Sequence, residues 1–238
     1  MGKLLILLFS AGKLGKMLTT GGTMIISIVA YSWIFGWPYA VGFVLLIFCH
    51  EMGHYLAAKQ RGLNVGAPTF IPFVGAWIEL KDQPLNVETE AYVGFAGPIV
   101  GSVAALACFV LAREYNSQLL LALAYSGFML NLFNLIPISP LDGGRITAII
   151  SPKVWLLGIP LLAALFFYHP SPMLILIAIL AYPQLKIAWD HFRNGNPDET
   201  SEYYNTPLNT RVNYGVLYLG MIVFLSMMTY SLHTELGR

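Results

Sequence analysis

His50, Glu51 and His54 stand together in the stretch FCHEMGHYLAAKQRG, Phe48 to Gly62, which follows a long uncharged run. Residues four apart on a helix share one face about a turn apart, so the two imidazoles converge. Two converging nitrogens suit a single zinc ion, and a glutamate directly after the first histidine is placed to act on water at that metal. The competing reading is a polar helix end at a membrane surface, close to Lys59. Three ionisable groups beside lipid are costly unless they satisfy one another or hold a metal, which favours the metal site. Cys49 points about 100° away from His50 on a helix and is not counted as a ligand.

A tetrahedral catalytic zinc takes three protein ligands and keeps its fourth position open. Asp142, in NLFNLIPISPLDGGR, is the candidate for the third ligand: it follows an uncharged run and precedes Gly143 and Gly144, which permit close backbone approach to a neighbouring helix. Its other reading is a helix-capping or turn aspartate, since PLDGG is also turn chemistry. Asn131 and Asn134 share a helix face and either bond across helices or hold a substrate carbonyl or oxyanion near the metal. Gly94, Gly97 and Gly101 suit close helix packing, with Pro98 perturbing the backbone among them. Glu79, Glu88 and Glu90 read as solvated loop carboxylates.

The elements that must position these groups are membrane elements. Of 238 residues, 57% are hydrophobic and only 11% are Asp, Glu, Lys or Arg, against about 25% charged in an ordinary soluble domain. The net charge of +1 and the absence of a basic block argue against nucleic acid as a partner. Cys49 and Cys108 lie in apolar runs and read as small buried residues. The expected class is an all-α polytopic membrane protein with about seven transmembrane helices and a short β-like insertion after the HExxH helix. Residues 1–18 read as an amphipathic interfacial segment, 19–151 as the catalytic membrane core, and 152–238 as C-terminal membrane helices with a polar loop at 190–211. Met17 to Cys49 is long enough for two spans joined near Gly36 to Pro38. Further spans are Ala91 to Ala112, Tyr115 to Leu141, a hairpin over Val154 to Leu185, and Val212 to Leu232.

With seven alternating spans, eleven of the Lys and Arg residues lie on one side, and only Arg113 and Arg238 on the other. The positive-inside bias then places the N-terminus and the HEMGH helix end in the cytoplasm. The segment Asn64 to Asp82 alternates loosely at GAWIEL and predicts a short strand or hairpin.

HEMGH within a membrane segment, paired with NLIPISPLDGG, resembles the site-2 protease family of intramembrane zinc metalloproteases. The resemblance covers Met17 to Ser151 and implies His50, His54 and Asp142 as ligands of one Zn²⁺ per chain, with Glu51 and Asn134 as catalytic residues. The glycine-rich third helix of that family resembles Gly94 to Ser102, and Gly97, Pro98, Gly143 and Gly144 are expected to be structural residues beside the site. Phe70, Gly75, Ala76, Trp77 and Ile78 are expected to hold an unwound substrate by strand addition. The resemblance implies single-pass membrane proteins or signal-peptide remnants as substrates, in a prokaryotic cell membrane, with a membrane regulator as a further partner. It leaves no room in this chain for the PDZ or CBS domains of some members. Two other classes fit parts of the pattern: a transporter with an intramembrane polar site, which does not ask for Glu51, and an inactive relative that binds transmembrane partners.

Overall fold

The structure is a computed structural model and describes residues 2–73, 75–77, 84–194 and 202–237. The chain begins with α1 (Gly2–Phe35) and α2 (Trp37–Gln60), separated at Gly36, whose φ of 82° suits glycine and breaks the helical run. Pro38 lies in the first turn of α2, where its missing N–H costs nothing. That helix stops at Gly62, whose φ of 75° lets the Leu63 N–H turn back to the Ala58 carbonyl. Next come β1 (Thr69–Ile71) and β2 (Gly75–Trp77), an antiparallel pair with Phe70 opposite Ala76.

α3 (Val87–Glu114) opens on Asn86, whose side chain accepts from the Thr89 N–H at 2.8 Å, with Glu88 and Glu90 in the favourable first turn. α4 (Gln118–Asn134) opens on Ser117 in the same way. A loop leads to the short α5 (Asp142–Ala148), then a 3-10 turn at Pro152–Leu157, α6 (Gly158–Tyr168), α7 (Pro172–Asn194) and α8 (Leu208–Leu236).

Among the described residues, four helices are long and apolar enough to cross a membrane: α2, α3, the Pro172–Trp189 part of α7, and α8. Seven spans were expected, and that number is corrected to four. The apolar stretches Thr19–Phe35, Gln118–Asn134 and Pro152–Tyr168 are shorter, each of 10–17 residues. A span needs about 20 apolar residues at 1.5 Å per residue. Tyr115 to Leu141 is a long uncharged run, but Ser117 caps the helix inside one end and the chain leaves helical geometry at Leu135 at the other. Runs of apolar residues measure composition; caps and turns decide how much of a run becomes helix. The described residues are mostly helical with one short hairpin, and their several long apolar helices are consistent with a multi-pass membrane protein.

Packing is sequential at the core. α2 lies against α3, α3 against α4 and α5, and α4 against α8. Phe128, Leu225 and Leu232 are fully enclosed between α4 and α8, with Ala105 and Ala124 closing the α3–α4 contact. The α2–α3 approach depends on Gly53, where a Cβ would stand 2.3 Å from the Ala96 carbonyl oxygen. In the polar segment between α7 and α8, Glu202–Tyr204 forms a 3-10 turn, and residues 195–201 of the expected loop lie outside the described residues. There Tyr203 donates its hydroxyl to Glu90. Burial and the neighbouring Glu90 charge push the Tyr203 ionisation up, so this tie to α3 stays protonated.

Candidate metal centre

His50, Glu51 and His54 occupy a buried face near the C-terminal end of α2, 3%, 8% and 7% exposed. Asp142, at the first position of α5, is 6% exposed and meets them from the other side of the core. His50 Nε2 lies 3.0 Å from Asp142 Oδ2, and His54 Nε2 lies 3.2 Å from Asp142 Oδ1. The two Nε2 atoms are 3.1 Å apart, with the rings nearly perpendicular at 78°. Among the described residues this is the one group of three or more His, Cys, Asp or Glu side chains whose ligand atoms gather in this way.

Proton positions in this cluster follow from its outer partners. His54 Nδ1 is 2.8 Å from the Val93 carbonyl oxygen, which can only accept, so Nδ1 carries the proton. His50 Nδ1 is 2.8 Å from Asn131 Oδ1, and Asn131 donates its Nδ2 to the Gly127 carbonyl at 2.7 Å. That second bond fixes which end of the amide faces His50, so His50 Nδ1 is also the donor. Both Nε2 atoms are then bare lone pairs aimed at a carboxylate. A proton added to one Nε2 would satisfy one contact and leave the others as acceptors facing acceptors. Asp142 Oδ2 is buried and without a hydrogen-bond partner. A cation among the three atoms satisfies all of them at once, and two imidazoles with one carboxylate fit zinc with its remaining position open.

α3 makes the space for this cluster. A Cβ on Gly97 would stand 2.2 Å from His54 Nε2, the atom that faces Asp142, and one on Gly101 would stand 2.4 Å from Asn131 Oδ1. Pro98 is buried between them and removes the helical donor for the Gly94 carbonyl, loosening the turn next to the Val93 carbonyl used by His54. On the Asp142 side, Gly143 is required by close approach: a Cβ there would lie 2.3 Å from the carbonyl oxygens of Leu135 and Ile136. The segment on both sides of Asp142 is tied by side chains from other elements. Tyr218 of α8 donates to the Leu135 carbonyl, Trp155 Nε1 donates to the Gly144 carbonyl at 2.8 Å, and Gln184 of α7 accepts from the Ser139 N–H.

The expected ligands His50, His54 and Asp142 are thus brought together, with Glu51 buried beside His50. Asn134 is half-buried and donates Nδ2 to its own helix at the Leu130 carbonyl, 3.0 Å away. Asn131, its neighbour on that helix, is the asparagine that touches the cluster. Phe70 faces inward, 3% exposed, packed with Tyr31, Val44 and Ile47. Gly75, Ala76 and Trp77 form β2, and Ile78 lies outside the described residues. Sequence reasoning missed the Val93 carbonyl and the three ties on the Asp142 loop. A backbone acceptor has no sequence signature, and Tyr218, Trp155 and Gln184 lie far along the chain without a motif.

The sequence profile of Peptidase family M50 matches residues 38–118, from the start of α2 to the start of α4. The zinc metalloprotease MJ0392 of Methanocaldococcus jannaschii is 34% identical over 124 residues, 48% of this chain and 36% of that protein. The protein sll0528 of Synechocystis, provisionally named a zinc metalloprotease, is 31% identical over 120 residues, 48% of this chain and 31% of its own length. A second M. jannaschii protein, MJ0611, with the same provisional name, is 27% identical over 179 residues, 60% of this chain and 90% of its own. The chain therefore spans only about a third of the length of the first two of these relatives. Its HEMGH helix lies inside the matched residues and Asp142 meets that helix from beyond them, so over about a third of its length the chain is similar to peptidase family M50, in line with the site-2 protease resemblance of its motifs.

Proposed function

We propose that this chain is a zinc-dependent endopeptidase that hydrolyses peptide bonds in or near transmembrane segments of membrane-protein substrates. The observation that carries the reading is the convergence of two bare imidazole nitrogens and an orphaned carboxylate beside Glu51, on helices of membrane-crossing length. One zinc per chain would be held by His50, His54 and Asp142, and bound zinc supplies Lewis acidity toward the scissile carbonyl and toward water. Glu51 takes the proton of the attacking water and returns it to the amine that leaves, so the carboxylate ends the cycle as it began. Asn134 is the candidate to steady the oxyanion. Donation from its amide requires giving up the bond to the Leu130 carbonyl.

A helical substrate hides its carbonyls in its own hydrogen bonds and must unwind to be cut. The hairpin offers a surface for the unwound stretch. β1 is taken up by α1, through Thr23 Oγ1 accepting from the Phe70 N–H at 3.1 Å and Thr20 donating to the Pro68 carbonyl at 2.7 Å. Among the described residues that leaves β2, Gly75 to Trp77, as the outer strand for backbone pairing. Phe70 serves as the anchor that fixes the hairpin to α1 and α2.

The active-site end faces the cytoplasm of a prokaryotic cell in this reading. Lys59 and Arg61 end α2 there, Arg145 lies in α5, and Lys186, Arg193 and Arg211 flank the junction of α7 and α8. At the opposite end Arg113 is paired with Glu235. Signal-peptide remnants are a second substrate class for the same chemistry, and a membrane regulator of access is a further partner on this reading.

The test is cleavage of a model transmembrane substrate in detergent or liposomes by the wild type and by Glu51→Gln, with zinc measured on the same samples. Loss of a general base lowers rates by about 10²–10⁴-fold. Glu51→Gln should keep zinc and lose cleavage to that extent. Normal cleavage by the variant overturns the mechanism.

A further inference from the structure

His50 and His54 are held from behind in different ways. The Nδ1 of His54 meets the main-chain carbonyl of Val93, which a side-chain substitution leaves in place. The Nδ1 of His50 meets a side chain, Asn131. We propose that Asn131 is a positioning residue for the metal ligand His50, its amide oxygen fixing the ring orientation and the Nδ1–H tautomer so that Nε2 stays a coordinating lone pair. The inference rests on zinc occupying the His50, His54 and Asp142 cluster.

Three observations carry it. Asn131 is 1% exposed in the last turn of an apolar helix, where a buried side-chain amide without partners is costly. Both ends of its amide are committed, Oδ1 to His50 on α2 at 2.8 Å and Nδ2 to the Gly127 carbonyl on its own α4 at 2.7 Å. The second bond prevents the flip that would turn an N–H toward His50. The third observation is the gap at Gly101 on α3, where a Cβ would stand 2.4 Å from Oδ1 and 2.8 Å from Nδ2. Three helices therefore meet on one amide. Neutral imidazole with no acceptor at Nδ1 can place its proton on Nε2 instead, and a ring in that tautomer cannot bind metal there. Groups that hold the second nitrogen of a metal-binding histidine typically change metal affinity by 10–100-fold when removed.

The experiment measures zinc affinity by chelator competition on the purified full chain, with the visible absorption of the Co²⁺-substituted protein as a second readout. Asn131→Leu keeps the side-chain shape and removes both hydrogen bonds. Asn131→Asp keeps the acceptor toward His50 and loses the donor toward Gly127. If Asn131 serves His50, the Leu variant binds zinc about 10–100-fold more weakly, while the Asp variant stays within a few-fold of wild type and keeps the wild-type Co²⁺ spectrum. If Asn131 only satisfies the Gly127 carbonyl, the Asp variant fails as the Leu variant does, and the proposal is overturned. Wild-type affinity in the Leu variant overturns it as well. Should the Leu variant not fold, the Asp variant alone decides between the same two outcomes. A wild-type chain that binds no zinc would instead defeat the metal reading on which this rests, a result distinct from equal binding by wild type and variant.

Discussion

The two halves of the metal cluster are built on different principles. His50 and His54 sit on one continuous helix, so their separation is set by covalent geometry and the helical repeat. Asp142 follows an irregular loop, and its position is set by Tyr218, Trp155 and Gln184, which reach it from α8, the 3-10 turn and α7. The first half lies inside residues 38–118, which match the family profile, and the second depends on residues beyond that match, from Asp142 to Tyr218. A helix needs only its own packing surface to present two ligands. A short helix entered from a loop needs outside contacts, and a ligand at its first position is sensitive to residues far from the site.

The strongest way to break the comparison is to damage each half with one methyl group. Gly97→Ala places a Cβ against His54 Nε2 itself, and we expect bound zinc to be lost on dialysis while far-UV circular dichroism stays that of the wild type. Gly143→Ala drives a Cβ into two backbone carbonyls that cannot rotate away. Overpacking of this kind costs at least about 1–3 kcal/mol, so this variant should lose zinc and also melt earlier. Equal thermal stability of the two variants would remove the distinction between a rigid half and a clamped half.

Tyr218→Phe sharpens it at lower cost. The substitution leaves the Leu135 carbonyl without its buried partner, worth about 1–3 kcal/mol. We expect a lower melting temperature and several-fold weaker zinc binding, although Tyr218 touches no ligand. Trp155→Phe, which takes the indole donor away from the Gly144 carbonyl and leaves it only the longer contact from Thr147 Oγ1 at 3.5 Å, should act in the same direction. Unchanged zinc affinity in both would mean that Asp142 is held by the glycine packing alone. The smallest effect is expected at the far end. Arg113→Ala breaks the paired contacts to Glu235 on an exposed surface, where ion pairs contribute little. Zinc content and melting temperature should both match the wild type.

The same contrast explains what could be read in the sequence. HEMGH was legible because a helix converts a spacing of four into a shared face without help from the rest of the chain. Asp142 was legible through its unusual neighbours, a carboxylate after an uncharged run and before two glycines. The number of membrane-length helices was not, because Ser117 and the loop at Leu135 shorten an apolar run that composition alone carries from Tyr115 to Leu141, whereas the break at Gly36 was legible from Gly36 and Pro38. Asn131 and Asn134 looked equivalent, three residues apart on one helix. Which one meets His50 depends on the gap at Gly101, and a tertiary gap on another helix leaves no mark in the local pattern. Phe70 was grouped with the outer strand residues by its neighbours in sequence. Its direction was decided by the pocket between α1 and α2 that receives it.

The central claim is that residues from these two separately built regions bind one metal ion together. X-ray absorption at the zinc edge, on the purified chain loaded with one equivalent of zinc, tests it most directly when wild type and Asp142→Ala are compared. The wild-type spectrum should show two imidazole ligands and only light N/O scatterers, with no sulfur from Cys49 or Cys108. The Asp142→Ala spectrum should lose one oxygen scatterer, and that protein should release zinc at a much lower chelator concentration. A wild-type spectrum with a sulfur shell, or identical spectra and affinities for the two proteins, would contradict the claim.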